Sequence, residues 1–200
     1  MNKYTIGAAL AGLSLAIPAA APAQRAPAAT IVVVDLERIY QECTACRAAN
    51  TQLQTQLQQI RTRAQQLAQP IQTEGAAIET AVRALNGRQP DAALQARITA
   101  LQTRQNTGNQ EIQRSEQTLR STQANVAGQI NARLNPIINQ VMTARGANLA
   151  VDANNTLARA QALDVTNDVL AQLNQQLPSV SVTPLPAGQQ PAQQQQPQGR

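Results

Sequence analysis

Cys43 and Cys46, the two cysteines of this 200-residue chain, are spaced as a C-x-x-C pair. A thiol redox site needs a helix N-terminus to lower a thiol pKa, and it usually lies in a thioredoxin-like βαβ pattern, which the neighbouring sequence lacks. A haem attachment site needs a histidine after the second cysteine, where Arg47 stands. A zinc site needs further cysteine or histidine ligands, and the chain has none.

In an oxidising compartment the same pair would form a structural disulfide, and we favour this interpretation of Cys43 and Cys46. Pairing between subunits, free thiols and thiol oxidoreductase activity are the alternatives that the sequence leaves open.

Acid–base and hydrolytic catalysis lack candidate residues, because histidine is absent and acidic residues are sparse. Asp152 and Asp164 are the acidic residues of the predicted strand region, and we interpret them as turn and cap residues. A glycine-rich phosphate-binding loop is also missing. We therefore predict a protein that is not an enzyme and that uses neither cofactor nor metal.

The N-terminus has the features of a cleavable signal peptide. Lys3 is followed by an apolar run over residues 6–17 and then by small residues that end at Ala23. The run is shorter than the roughly 20 residues that cross a bilayer. We predict a signal peptide over residues 1–23, a linker over 24–29, and export to the periplasm.

The charge of the chain is positive and is concentrated in its middle. The formal charge of +5 includes Lys3, and the segment from Arg47 to Arg133 holds ten arginines and five acidic residues, a net charge of +5. Such a segment could attract acidic chains or lipid phosphates, or could be an ordinary solvated surface. Export and the lack of aromatic stacking residues argue against nucleic acid as a partner.

Most of the chain has the pattern of a long antiparallel helical hairpin, which we predict over residues 46–141. Apolar residues recur at steps of three and four, as in a coiled-coil seam. Asn86-Gly87 predicts a tip within residues 86–90, with Pro90 in the first turn of the return helix. Pro70 predicts a kink in the outgoing helix. The return helix has polar or small residues at four seam positions, Gln105, Gly108, Ser115 and Thr122.

Short strands are predicted at both ends of the hairpin. Residues 30–45 begin with a β-branched run typical of a buried strand and continue into a helix. Residues 142–177 hold a strand at 148–152, one or two more within 156–165, and a closing helix. One copy offers little apolar area, so we expect oligomerisation to complete the core. The Gln- and Pro-rich residues 178–200 predict a disordered tail.

Two stretches resemble the Skp (OmpH) family of periplasmic chaperones. Residues 148–154, NLAVDAN, and residues 164–170, DVTNDVL, resemble the family's "DLVVDAN…DIT.DVL" pattern. Residues 31–40, IVVVDLERIY, are similar to the family's first strand and following helix. The resemblance covers residues 29–177, although the hairpin matches in length and composition rather than by motif.

The resemblance implies a mainly α protein with a small β body, in which long hairpins rise as tentacles from a short-stranded base. It implies a homotrimer that holds unfolded outer-membrane proteins without ATP. Strand positions that match the family and would lie in the trimer body are Ile31, Val33, Leu149 and Val151. Membrane-surface or lipopolysaccharide contact is also implied, although the family's basic residues for it align with no arginine here.

If the chain is such a holdase, the arginines of the hairpin are the candidate contacts for its clients. These are Arg61, Arg63, Arg83, Arg97, Arg104, Arg114 and Arg120. The alternative is a coiled-coil scaffold protein of the cell envelope that binds one folded partner.

Overall fold

A computed structural model describes residues 28–186, so the predicted signal peptide and the last 14 residues lie outside the described part of the chain. The elements are β1 (Ile31–Val34), α1 (Leu36–Glu42), α2 (Thr44–Ala84), α3 (Ala92–Ala144), β2 (Leu149–Asp152) and α4 (Thr166–Gln176). Short 3-10 helices cover Ala153–Asn155 and Gln161–Leu163. The predicted fold class, mainly α with a small β body, is confirmed.

The two strands form a parallel two-stranded sheet in which Ile31 is aligned with Leu149 and Val34 with Asp152. The whole hairpin connects them, which makes this pairing a contact between distant parts of the chain. Asn148 aligns the entry to the sheet, because its side-chain oxygen accepts a hydrogen bond of 2.9 Å from the Thr30 backbone N–H. Both ends of the hairpin are therefore held at one base.

The apolar core lies at this base, where the lower part of α3 and helices α1 and α4 pack with β1. Successive turns of α3 contribute Ile130, Leu134 and Ile137, all of them buried. Helix α4 adds Val169 and Leu173, which are fully buried. Helical spacing of apolar residues places each of these side chains on the face that meets the strands.

Helix ends are defined by local side-chain caps. Asp35 accepts a hydrogen bond from the Arg38 backbone N–H and starts α1, and Asp91 does the same for Leu94 and α3. Pro90 precedes the Asp91 cap, so the prediction that it lies in the first turn of the return helix is wrong. A carboxylate oxygen caps orphan N–H groups, a role that the proline ring cannot fill.

The tip of the hairpin is a tight turn between Ala84 and Ala92. Asn86 and Gly87 both have positive φ, 50° and 86°, a backbone conformation that asparagine and glycine tolerate best. The Asn-Gly pair therefore reverses the chain where the sequence predicts it.

The two arms are long and only partly buried against each other. Helix α2 has 41 residues and continues through Pro70, and α3 has 53 residues. At about 1.5 Å per residue the shorter arm extends about 60 Å. Near the tip the seam is closed by Ile78 and Leu94, which are buried. Within residues 28–186, none of the helices has the combination of length and apolarity needed to cross a bilayer.

The strand predicted within residues 156–165 does not form. The segment contains one 3-10 turn, and Asp164 makes a single isolated bridge to Val33. The Asp164 carboxylate accepts hydrogen bonds from the Arg159 guanidinium at 3.1 Å and from the Thr166 backbone N–H at 2.9 Å. Because α4 begins at Thr166, two residues after this bridge, the pairing with β1 ends after one step.

The first part of the predicted tail is ordered. Residues 178–186 run along the hairpin, with Val180 and Val182 packed against the core and main-chain atoms bonded to α2 and α3. The prediction of disorder from Pro178 is therefore wrong for this segment. Its two valines pack against an apolar surface of the core, and the Gln- and Pro-rich composition of the tail gives no sign of this contact.

Leu134→Ala should destabilise the base by about 2–5 kcal/mol, because Leu134 is buried and its truncation opens a cavity in the core. The check is urea unfolding followed by circular dichroism at one fixed protein concentration. Val82→Ala is the matched control near the tip, where Val82 is 42% exposed, and should change stability by less than about 0.5 kcal/mol. Equal effects at both positions would contradict the assignment of the core.

Candidate functional site

Two ion pairs connect the arms of the hairpin. Arg63 on α2 binds Glu111 on α3 with two hydrogen bonds, of 2.6 Å and 3.2 Å. Arg97 on α3 binds Glu74 on α2 at 2.9 Å. All four side chains are 30–50% exposed, so each pair orients the arms more than it stabilises them.

These pairs shift the acid–base equilibria of their members. The hydrogen bond from Arg63 lowers the pKa of Glu111, and that from Arg97 lowers the pKa of Glu74, each below the ordinary value of 4.5. Conversely, Glu111 and Glu74 raise the pKa of Arg63 and Arg97. The two guanidinium groups thus face carboxylates of their own chain.

The remaining candidate arginines fall into two groups. Arg83 pairs with Glu79 and Arg120 with Glu116, each one helical turn away. Arg61, Arg104 and Arg114 make no ion pair with any residue in the described range. Sequence reasoning could not separate these groups, because the partners of Arg63 and Arg97 lie 48 and 23 residues away.

The polar seam leaves an open groove between the arms. Gly108 is buried against Leu67, whose side chain would stand 3.8 Å from an added Cβ atom. Around them is a groove of about 590 Å³, lined by apolar residues of α2 and by amide side chains of α3. Ser115 and Thr122 donate to carbonyl groups of their own helix and do not bond across the seam. The arms are therefore loosely packed over their middle.

A second groove, of about 510 Å³, lies lower on the hairpin and is bordered on one side by the C-terminal segment 178–186, which we name the strap. Its walls come from Ile60, Leu119 and Thr122, and the strap contributes Val182. Sequence reasoning missed this contact. The signal in hindsight is the alternation Ser-Val-Ser-Val-Thr over residues 179–183.

An apolar surface is exposed at the end of the sheet. Ile31 and Leu149, neighbours in the strand register, are 38% and 45% exposed, and Leu163 is 40% exposed. Leu157 is fully exposed. Of the other strand positions expected in a trimer body, Val151 is half-buried, whereas Val33 is buried within the protomer. We name the four exposed residues the association face.

Cys43 and Cys46 form a disulfide at the junction of α1 and α2. Cys43 is the N-cap of α2, so the pair lies at a helix N-terminus, which the sequence did not establish. Both side chains are buried in the core, out of reach of a substrate thiol. Among the described residues no group of three or more histidine, cysteine or acidic side chains is arranged to hold a metal ion.

The pH dependence of the hairpin follows from the two glutamates. Because their folded-state pKa values are lowered, their contribution to stability is complete above pH 4.5 and is lost as the pH falls through the folded-state values. We expect the protection factors of backbone amides around Arg63, measured against the intrinsic exchange rate at each pH, to fall below pH 4.5. Glu111→Gln should remove this local pH response, whereas Glu116→Gln, one turn away, should leave it unchanged.

Comparisons with known proteins give a family and solved structures of the same architecture. The family model described as "Outer membrane protein (OmpH-like)" matches residues 30–173. A crystal structure from Caulobacter crescentus CB15, provisionally described as an OmpH-like outer membrane chaperone, superposes with a TM-score of 0.65 at 20% identity. The match covers 81% of this chain and 94% of that one. No curated protein sequence gives a significant match.

The family match spans the strands, the hairpin and most of the closing helix. The chain belongs to the OmpH-like outer membrane protein family.

Proposed function

We propose that this protein is an ATP-independent periplasmic holdase, which binds unfolded outer-membrane proteins as a homotrimer and keeps them soluble in transit. The observation that carries the proposal is the hairpin, two long and loosely packed positive arms that rise from a small base. Family membership supports the chaperone role.

The charge and the surface of the arms suit a weak and broad binder. An unfolded membrane protein aggregates through exposed apolar segments and unpaired strand edges, so its holder must contact many sequences. The arms lack aromatic residues, which commonly form tight and specific binding sites. Arg61, Arg104 and Arg114, which have no ion-pair partner in the described range, would attract client carboxylates and lipid phosphates.

The association face supports assembly of three copies. It exposes Ile31 and Leu149 on the two aligned strands, and Leu157 and Leu163 on the segment between β2 and α4. The outer edge of β2 has no strand partner in residues 28–186. Strand edges and exposed apolar side chains favour pairing with another chain. Three hairpins rising from one shared base would enclose a client that a single hairpin leaves open to solvent.

The periplasmic location rests on the signal peptide predicted over residues 1–23 and on family membership. The buried Cys43–Cys46 disulfide suits an oxidising compartment. Clients in transit to the outer membrane pass through the same compartment. It lacks the nucleotide that an ATP-driven chaperone would need.

The purified protein should suppress aggregation of a porin diluted from urea at stoichiometric ratios and without nucleotide, as measured by light scattering. Substituting Arg61, Arg104 and Arg114 together by Gln should weaken capture of an acidic porin and reduce its salt dependence. Arg83→Gln with Arg120→Gln is the control, because these arginines are already paired within their own helix.

Failure to suppress aggregation at several-fold excess would exclude the holdase. Capture of a single folded partner and of no unfolded porin would instead support a coiled-coil scaffold.

Leu149→Asp should convert the trimer to monomers, because it places three carboxylates in an apolar contact. Sedimentation equilibrium at working concentration measures the mass directly. Val82→Asp is the matched control, an exposed apolar residue near the tip, and should leave the mass unchanged. A well-ordered monomer of the unsubstituted chain would contradict assembly through this face.

A further inference from the structure

The strap is held to the hairpin mainly through its own main chain. The Ser181 N–H donates to Gln129 Oε1 at 2.9 Å, and Gln129 Nε2 donates to the Ser181 carbonyl at 3.0 Å. Asn125 Nδ2 donates to the Thr183 carbonyl at 3.0 Å, and the Leu185 N–H donates to the hydroxyl of Ser121 at 3.0 Å. These hydrogen bonds bind the main chain of the strap and do not depend on the identity of its side chains.

The contacts on α3 recur with a regular period. Ser181, Thr183 and Leu185 are two residues apart, and their partners Gln129, Asn125 and Ser121 are four residues apart. Two residues of extended chain advance about 6.6 Å, and four residues of helix advance about 6 Å. The two repeats therefore stay in step, and α3 acts as a ladder for an extended chain that runs antiparallel to it.

Helix α2 closes the other side of this groove. Gln56 Nε2 donates to the Val182 carbonyl at 3.2 Å, so this carbonyl is also bonded. The side chains of Val180 and Val182 pack against the core, and Ser181 and Thr183 share a hydroxyl contact of 2.8 Å. The strap thus has the alternation of apolar and polar residues that marks a transmembrane β-strand.

We propose that this groove binds extended, alternating segments of client polypeptide, and that the strap occupies it in cis until a client displaces it. The client identity rests on the function proposed above. The groove itself is argued from the strap contacts alone, which show the chemistry of a fitting partner.

The ladder extends past the strap. Gln117 and Gln113 continue the four-residue spacing of α3 beyond Ser121, and both are exposed. A client segment longer than the strap therefore finds more amide groups than the strap uses. A tethered strap has an effective concentration in the millimolar range, so a short client segment competes poorly and a long one competes well.

The test uses the full-length protein and a fluorescein-labelled peptide with the sequence of residues 178–186, with fluorescence anisotropy as the measurement. The double variant Val180→Ser with Val182→Ser should loosen the strap and tighten peptide binding at least about tenfold. A groove that is free of the strap in about one molecule out of ten has its apparent affinity for the peptide lowered by that factor. A peptide of the same composition with its two valines adjacent should bind weakly.

Two further variants locate the effect. Ser181→Pro removes one N–H of the strap but keeps both valines, and it should also tighten peptide binding. Asn125→Ala with Gln129→Ala, introduced into the double-serine chain, should abolish the gain. Gln123→Ala is the matched control, an exposed amide on the same turns of α3 that does not contact the strap, and should have no effect.

Two results would overturn the proposal. One is peptide binding that is equally tight in the unsubstituted chain. The other is peptide binding that weakens in both strap variants while their helicity and mass stay unchanged. The first result shows an open groove, and the second shows a strap that only stabilises the hairpin. Tight binding of the peptide by a chain that fails to hold a porin would refute the holdase and retain the groove.

Discussion

The structure depends on one constraint: both ends of a very long hairpin must be held by a small apolar core at its base. Strands β1 and β2 lie on either side of the hairpin in sequence and pair in parallel. Helix α4 then packs its buried face against β1, α1 and the lower part of α3. Since the arms bury little surface of their own, the position of each arm is determined where it enters this core.

The hairpin itself is organised by polar contacts as much as by apolar ones. Arg63 with Glu111 and Arg97 with Glu74 align the two helices at exposed positions, where ion pairs contribute little net stability. Between them the seam opens around Gly108. The arms are therefore aligned at these two positions and packed loosely between them. Such an arm suits a surface that encloses chains of different size.

Binding an unfolded chain requires contacts that ignore sequence, and the main chain is the part that all clients share. Amide side chains of α2 and α3 contact the main chain of the strap in this way. In the proposed function, the amide side chains that weaken the seam of the coiled coil would also bind the main chain of the client. Broad recognition and loose helical packing would then come from the same residues.

Local patterns were sufficient to predict the hairpin and its first strand, and the family resemblance completed the fold class. The Asn86-Gly87 turn, the β-branched run at residues 31–34 and the three-four spacing of the arms each depend on neighbours within a few residues. Features that join distant segments could not be predicted. The strap looked disordered because two valines cannot form a core alone, and they become buried only against helices more than 50 residues away. The partner of Arg63 and the end of pairing at Asp164 were likewise decided by the tertiary structure, because spacing along a chain does not determine which distant groups meet.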